Sequence, residues 1–298
     1  MKKHEGKLLA NKSGFEIIDC LNCGFVHIMP IPNETELERI YKHEYYSKDK
    51  PNYIEKYSED INWWECVYKY RFDKFESFIK SNTKKLLDVG SGPGFFLLEG
   101  QKRNWDSIGL EPNDIAAEHS QKLGLNIIKS FFNSEISRHL GKFDLINLGE
   151  VLEHLPDPTT FLNLIKQNLN DDGLLSIIVP NDFNSIQNVL FDNLNFDNWW
   201  ISPPHHINYF SFESLTLLLE KNNYGIVSIE GTFPIDIFLL MGENYIGNEI
   251  LGRECHSKIK KFEINLIKSN NSQLLTSLYK KLSEINIGRE IFIIARKK

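Results

Sequence analysis

The chain has 298 residues, of which 41% are hydrophobic, 12% aromatic and 25% charged; that composition buries a full core in one large domain, or in one domain with a small appendage. A net charge of −6 excludes a global basic field of the kind that attracts nucleic acid or an anionic membrane. No window approaches the ~18 uninterrupted apolar residues of a membrane span. The opening MKKHEGKLLANKSG has no apolar stretch long enough for a secretory signal, so a cytoplasmic location is expected.

Residues 1–33 read as a small irregular β module, with FEII and FVHIMPIP flanking Cys20 and Cys23. The four cysteines (Cys20, Cys23, Cys66, Cys255) are too few and too scattered for a disulfide scaffold. Residues 34–80 read as a helical cap or linker. Asn33 is a cap before ETELERIYKHEYY, and Trp63, Trp64, Val67, Tyr70, Phe75 and Phe78 recur at helical spacing between Asp60 and Lys80.

From residue 81 a main domain is expected. KLLDVG is a strand, GFFLLEGQKRN a helix, SIGLEP a strand, DIAAEHSQKLG a helix and LNIIKS a strand. FDLINLGE is a strand, TTFLNLIKQNLN a helix and GLLSIIVP a strand, with NDDG before it read as a turn. ESLTLLLEKNNYG (helix), IVSIEGTF and REIFIIARKK (strands) follow, and residues 235–286 form a helical insertion between the last two strands. The alternation predicts an α/β fold: a Rossmann-like, seven-stranded, mainly parallel sheet with helices on both faces. Ligands in such sheets bind at the carboxyl ends of the strands. The insertion is read as a lid or as an association surface for a homo-oligomer.

LLDVGSGPGF, residues 86–95, places Gly90, Gly92 and Gly94 after the first parallel strand. Glycine is kept where backbone must turn sharply or lie against something large, and N–H groups at such a loop face the crevice. A plain strand–helix turn is the competing reading. Glu111 ends SIGLEP about twenty residues past Gly90, where an acid accepts hydrogen bonds from ribose hydroxyls and disfavours a 2′-phosphate. The spacing G-x-G-x-G also departs from the G-x-G-x-x-G of nicotinamide enzymes, so an oxidoreductase is disfavoured.

DVGSGPG, then GLEP, FDLINLGEVLEHLPDP and DDGLLSIIVPN, resembles the class I S-adenosylmethionine-dependent methyltransferases, over residues 65–234 plus the final strand. EVLEH looks like the branch of ubiquinone-type O-methyltransferases and many sugar methyltransferases. The resemblance implies S-adenosylmethionine as cofactor. It places Asp88 beside the methionine part, with Gly90, Ser91, Gly92 and Gly94 letting backbone approach its amino and carboxylate groups. It sets Glu111 and Pro112 at the ribose, and Leu148, Gly149 and Glu150 near the cofactor. Similar enzymes close the pocket with residues such as Arg71, Tyr45 and Tyr46, although packing or surface roles compete. The family places an acid after the third strand; this chain has KSFFNSEI, so Phe131 or Phe132 is expected against the adenine.

O-methylation needs a general base, and histidine suits neutral pH. His154 closes GEVLEH, and His205 and His206 lie in WWISPPHHINYF, where related sugar methyltransferases put an acceptor-site histidine. His205 or His206 is favoured as base, with Tyr209 as partner; the competing reading is that these histidines, and His154, pin loops. Asp171 and Asp172 are read as turn residues, and no catalytic metal is expected.

Cys20-Leu-Asn-Cys23-Gly looks like half of a zinc ribbon, which in related methyltransferases has four cysteines. Here only His4 precedes the pair and His27 follows it, so a β framework without metal is expected. The leading expectation is methyl transfer to a hydroxyl of a small acceptor: a sugar, nucleotide-sugar or polysaccharide precursor stacked on Trp199, Trp200, Tyr209 and Phe210. A phenolic or quinone acceptor is the alternative, and a methyltransferase-like binding module without turnover is another.

Overall fold

The computed structural model describes residues 3–49, 51–80 and 83–298, with backbone alone for residue 34 and residues 45–49. At the N-terminus β1 (Gly6–Lys12), β2 (Phe15–Cys20) and β3 (Phe25–Met29) pair antiparallel. Ser13 and Gly14, at φ +52° and +83°, make the tight β1–β2 turn, whose twist demands positive φ at both central positions. The chain continues through α1 (Glu34–Glu38), a π-helical stretch (Arg39–Asp49), α2 (Tyr53–Glu59) and α3 (Ile61–Phe78). Asn33 caps α1 in a reciprocal pair with Glu36.

The main domain alternates: β4 (Lys85–Val89), α4 (Phe95–Lys102), β5 (Asp106–Leu110), α5 (Asp114–Lys122), β6 (Ile127–Ile128), α6 (Ser134–Leu140) and β7 (Phe143–Gly149). A 3₁₀ turn (Leu152–His154) leads to α7 (Pro158–Gln167), β8 (Leu169–Pro180), α8 (Ser185–Leu194), β9 (Asn208–Tyr209), α9 (Phe212–Lys221) and β10 (Tyr224–Gly231). The insertion supplies α10 (Ile237–Leu240), α11 (Glu249–Lys268) and α12 (Ser272–Glu284) before β11 (Glu290–Lys297).

Seven strands form one sheet in the order β10-β11-β8-β7-β4-β5-β6. All neighbours are parallel except β11, which runs antiparallel to both β8 and β10. Successive residues face opposite sides: Leu86, Leu145, Ile178 and Ile294 pack with Phe72, Phe75 and Phe96, whereas Leu87, Ile146, Ile177 and Ile293 pack with Leu162, Ile165 and Leu215. Fully buried parallel strands need this apolar character on both faces. The chain lays β4, β5 and β6 outward on one side, then crosses back to start β7 beside β4. That reversal opens the crevice between the β4 and β7 ends.

α3 packs on the main domain, with Tyr68, Phe72 and Phe75 covering one sheet face. Three features differ from or add to the sequence reading. First, β9 adds to β3 as the fourth strand of the N-terminal sheet. Second, α6 and α8 were not expected, although Asn133 and Asn184 cap them in the ordinary way. Third, NDDG lies within β8 as an irregular slip, with Phe143 opposite Leu169 but Leu145 opposite Leu174.

Gly94 starts α4 at φ +85°, and a Cβ there would lie 2.5 Å from Leu125 Cδ1 and 2.7 Å from Ser120 Oγ. Gly94→Ala is therefore expected to destabilise the chain by about 1–3 kcal/mol through strain and overlap, read as a lowered denaturant midpoint.

Candidate functional site

The carboxyl ends of β4, β5 and β7 surround a cavity of about 1130 Å³. Asp88, in β4, accepts a 2.8 Å hydrogen bond from Asn147 Nδ2, and Asn147 Oδ1 accepts from Ser176 Oγ at 2.9 Å. These three residues stand in register across β4, β7 and β8. Glu111, just past β5, accepts from the Gly92 N–H (2.9 Å) and the Asn113 N–H (2.8 Å). Burial pushes both carboxyls, Asp88 and Glu111, up to about 7. Each carboxyl offers further lone pairs toward the cavity that a ligand's donors can fill.

The glycine loop works differently from the expectation. The N–H groups of Gly90 and Ser91 go to Leu110 O, at 2.8 and 3.0 Å, and that of Gly92 goes to Glu111. So these amides tie the loop to β5 and do not point at a ligand. What the glycines supply is close approach: a Cβ on Gly90, at φ +69°, would lie 3.0 Å from Val151 Cγ2. Opposite, Glu150 holds φ +55°, a left-handed conformation for a non-glycine residue at the β7 end.

His154 stands in the 3₁₀ turn beyond Glu150 and lines the cavity. Its Nδ1 lies 2.7 Å from the His205 carbonyl and 2.8 Å from the Tyr41 hydroxyl, which itself donates to that carbonyl at 2.7 Å. The Nδ1–H therefore donates to His205 O, which leaves Nε2 as the basic nitrogen. Glu153 Oε1 is 3.6 Å from Nε2. Burial, together with the Glu150 charge, holds the Glu153 carboxyl well above the usual carboxylate range. The His206 ring packs edge-on against His154 at 5.2 Å, and one atom each of Glu153, His154 and His206 comes within metal-ligating reach.

An aromatic wall closes the other side. Tyr57 stacks on Trp64 at 4.3 Å and on Phe95 at 4.7 Å, and Trp64 stacks on Tyr68 at 5.4 Å. The insertion completes the chamber with His256, Ile259 and Glu263 of α11 and Tyr279 of α12. Glu263 accepts from Trp63 Nε1 and the Tyr279 hydroxyl, and burial raises its pKa and lowers that of His256. The π-helical stretch straps the mouth: Asn113 Nδ2 donates to Lys42 O at 2.9 Å.

Of the residues singled out from sequence, Arg71, Asp88, Gly90, Ser91, Gly92, Glu111, Pro112, Phe131, Phe132, Gly149, Glu150 and His154 line this one cavity. Leu148 does not; it is fully buried in the core beneath the sheet face. Gly94 is spent on helix packing. Tyr46, like Tyr45, lies outside the residues whose side chains are described. His205 and His206 sit behind His154, not on the cavity surface. Tyr209 is buried in the N-terminal sheet, where its hydroxyl accepts from the Ser202 N–H at 3.1 Å. Trp199, Trp200 and Phe210 are likewise core residues of the module and its seam, and none faces the cavity. Asp171 is exposed and ion-paired with Lys297 at 2.8 Å. Sequence reasoning missed Tyr41, Tyr57, Trp64 as a cavity residue, His256 and Glu263. For Tyr41, Tyr57 and Trp64 the only signal was aromatic density in the helical segments before β4; His256 and Glu263 carried none.

No helix among the described residues is long and apolar enough to cross a membrane. A methyltransferase-domain family model matches residues 65–229. The ubiquinone biosynthesis O-methyltransferase of Actinobacillus pleuropneumoniae serotype 7 is 36% identical over 102 residues, which is 31% of this chain and 44% of that protein. The enzyme of the same name from Escherichia fergusonii is 31% identical over 97 residues, 30% of this chain and 40% of that one. The chain thus spans less than half the length of these relatives. In fold it matches a SAM-dependent methyltransferase from Archaeoglobus fulgidus with a TM-score of 0.50, 20% identity and coverage of 78% of this chain and 94% of that one. It also matches plantazolicin methyltransferase BpumL, solved with a monoazolic desmethylPZN analog and SAH, with a TM-score of 0.52, 16% identity and coverage of 89% and 97%. With the family model covering more than half of the sequence, the crevice at the strand ends is that of a known class: the chain belongs to the family of class I, S-adenosylmethionine-dependent methyltransferase domains.

Proposed function

We propose that this chain transfers a methyl group from S-adenosylmethionine to a hydroxyl of a small aromatic acceptor, a phenol or quinol, with His154 as general base. The observation that carries this reading is the stacked wall of Tyr57, Trp64, Tyr68 and Phe95 facing the same cavity as His154. Pockets for one small ligand usually measure ~300–1,000 Å³, and this one exceeds that range, which leaves room for cofactor and acceptor together. The names of the curated relatives support an aromatic acceptor over a sugar. The sugar expectation rested on Trp199, Trp200, Tyr209 and Phe210, which pack away from the cavity.

The residues present fit the cofactor. Glu111 has lone pairs for the ribose hydroxyls, and Asp88 has them for the ammonium of the methionine tail. Arg71, held 3.6 Å from Glu290, is a cation suited to the tail carboxylate. Phe131 and Phe132 offer faces for the adenine, which explains why no acid is needed after β6. S-adenosylmethionine supplies a methyl group already activated by the sulfonium.

The protein aligns and deprotonates the acceptor. The aromatic wall holds the ring so that its oxygen faces the donor. His154 Nε2 would take the hydroxyl proton as the oxygen bonds the methyl carbon and the carbon–sulfur bond breaks, the sulfur leaving as the neutral thioether of S-adenosylhomocysteine, and the His205 carbonyl keeps Nδ1 protonated so that Nε2 stays the basic nitrogen. Tyr41 anchors that carbonyl. His205, His206 and Glu153 are positioning residues in this reading.

Labelled methyl transfer tests the acceptor class. Label from S-adenosylmethionine is expected in a substituted catechol and absent from hexoses and nucleotide-sugars; label in sugars alone sinks the reading. His154→Ala is expected to lower kcat about 10²- to 10⁴-fold while S-adenosylhomocysteine affinity changes less than about threefold. Turnover within tenfold of the parent enzyme rules out His154 as base.

Cofactor donors favour the ionised forms of Asp88 and Glu111, so their protons leave on binding. With both carboxyls near 7 beforehand, about one proton in total is released per bound S-adenosylhomocysteine at pH 7. Affinity then rises from pH 6 to pH 8. Calorimetry in buffers of different ionisation enthalpy measures the release, and Glu111→Gln is expected to roughly halve it. Without ligand the sign reverses for stability. The folded chain holds these two protons more tightly than the unfolded one, so the two carboxyls stabilise below about pH 4 and lose that contribution as pH rises toward 7.

A further inference from the structure

The N-terminal module brings together four side chains that sequence spacing leaves apart. His4 precedes β1, Cys20 ends β2, Cys23 sits in the following turn and His27 lies in β3. One ligand atom from each comes within 4.8 Å of all the others. His4 Nδ1 is 3.1 Å from His27 Nε2, 3.4 Å from Cys23 Sγ and 3.9 Å from Cys20 Sγ. A tetrahedral zinc ion with bonds of about 2.1 Å to nitrogen and 2.3 Å to sulfur sets those edges at ~3.4 Å for N–N and ~3.6 Å for N–S. The two N–S separations straddle the ideal edge, and the N–N separation is a few tenths of an ångström shorter than its own.

The surroundings are those of a held ligand set. His27 is buried, and its Nδ1 donates to Ile28 O at 2.9 Å, which turns the Nε2 lone pair toward the other three. Cys20 is fully buried. The Cys20–Cys23 turn closes through Gly24 N–H to Cys20 O at 2.8 Å. The segment carrying His4 is tied to that turn by Leu21 N–H to Glu5 O (2.9 Å) and Asn22 Nδ2 to Lys3 O (2.5 Å).

We propose that this chain holds one structural zinc ion through His4 Nδ1, Cys20 Sγ, Cys23 Sγ and His27 Nε2. Two nitrogens and two sulfurs, with no open position, suit zinc in a structural role. Binding releases the two thiol protons, and two thiolates neutralise the ion where burial penalises net charge. The site reaches the cavity through backbone. His27 pairs with Asn208 across β3 and β9, and Asn208 Nδ2 donates to Leu152 O (2.9 Å) and Leu155 O (2.7 Å), on either side of His154. Ile28 N–H donates to Ile207 O, and Ile207 N–H to Glu153 O, at 2.9 and 2.8 Å. The ion thus braces the strand against which the His154 turn is hung.

The test uses the full chain. Mass-spectrometric metal analysis is expected to find about one zinc per chain after desalting from excess zinc. Cobalt(II) in its place is expected to show thiolate charge-transfer and tetrahedral ligand-field bands. His4→Ala, at a half-buried position, is expected to weaken binding at least tenfold and alter the cobalt spectrum, with S-adenosylhomocysteine binding kept as the control for folding. Chelation is expected to speed hydrogen exchange at Ile28 and Ile207, and zinc, not magnesium, to restore it. Less than about 0.1 zinc per chain with octahedral cobalt spectra overturns the proposal. So does zinc held equally by the parent, His4→Ala and Cys23→Ser chains. If His4→Ala does not fold, the parent's cobalt spectrum decides alone.

Discussion

Two carboxyls buried at adjacent strand ends, Asp88 and Glu111, constrain everything around them. Among the described residues neither meets a full cation at hydrogen-bonding distance: Asp88 is held by an amide ladder through Asn147 to Ser176, and Glu111 by two backbone N–H groups. Such groups are costly to bury unless donors surround them. The glycine loop is shaped by that need. Its Gly92 amide is drawn to Glu111, its Gly90 and Ser91 amides to the same strand, and the helix that follows is aimed accordingly. The remaining acceptor capacity of both carboxyls faces a cavity, where it matches the hydroxyls and ammonium of the cofactor in the proposed reading.

The second constraint is a hub of backbone around His154. The His205 carbonyl and the Asn208 amide, from one segment, and Tyr41, from another, converge on one 3₁₀ turn. The appended N-terminal sheet is therefore part of the apparatus that sets this turn, because β9 belongs to that sheet and lies three residues past His205. A module that looks dispensable in sequence is mechanically continuous with the cavity wall.

The insertion contributes surface rather than scaffold. Strand pairing runs from β10 to β11 whatever lies between them, so 235–286 is free to lie over α3 and the strand ends. There α11 and α12 bury Glu263 between Trp63 and Tyr279. The strand ends on one side of the cavity and the α11–α12 wall on the other are thus supplied by different parts of the chain.

The amino-acid sequence by itself determined the seven-stranded sheet, the order of its strands along the chain and which strand ends carry Asp88, Glu111 and Glu150. These follow from local physics: buried parallel strands must be apolar on both faces, and a strand-to-helix turn at positive φ in close contact with its neighbours needs glycine. Only the tertiary structure decided that His154 and His256 face the cavity, that Leu148 and Gly94 serve packing, that Tyr209 belongs to another sheet, and that His4 and His27 meet the two cysteines. Each of those outcomes depends on segments far apart in the chain lying side by side. No periodicity or motif encodes which side of a tight turn looks inward once a distant strand has paired with it.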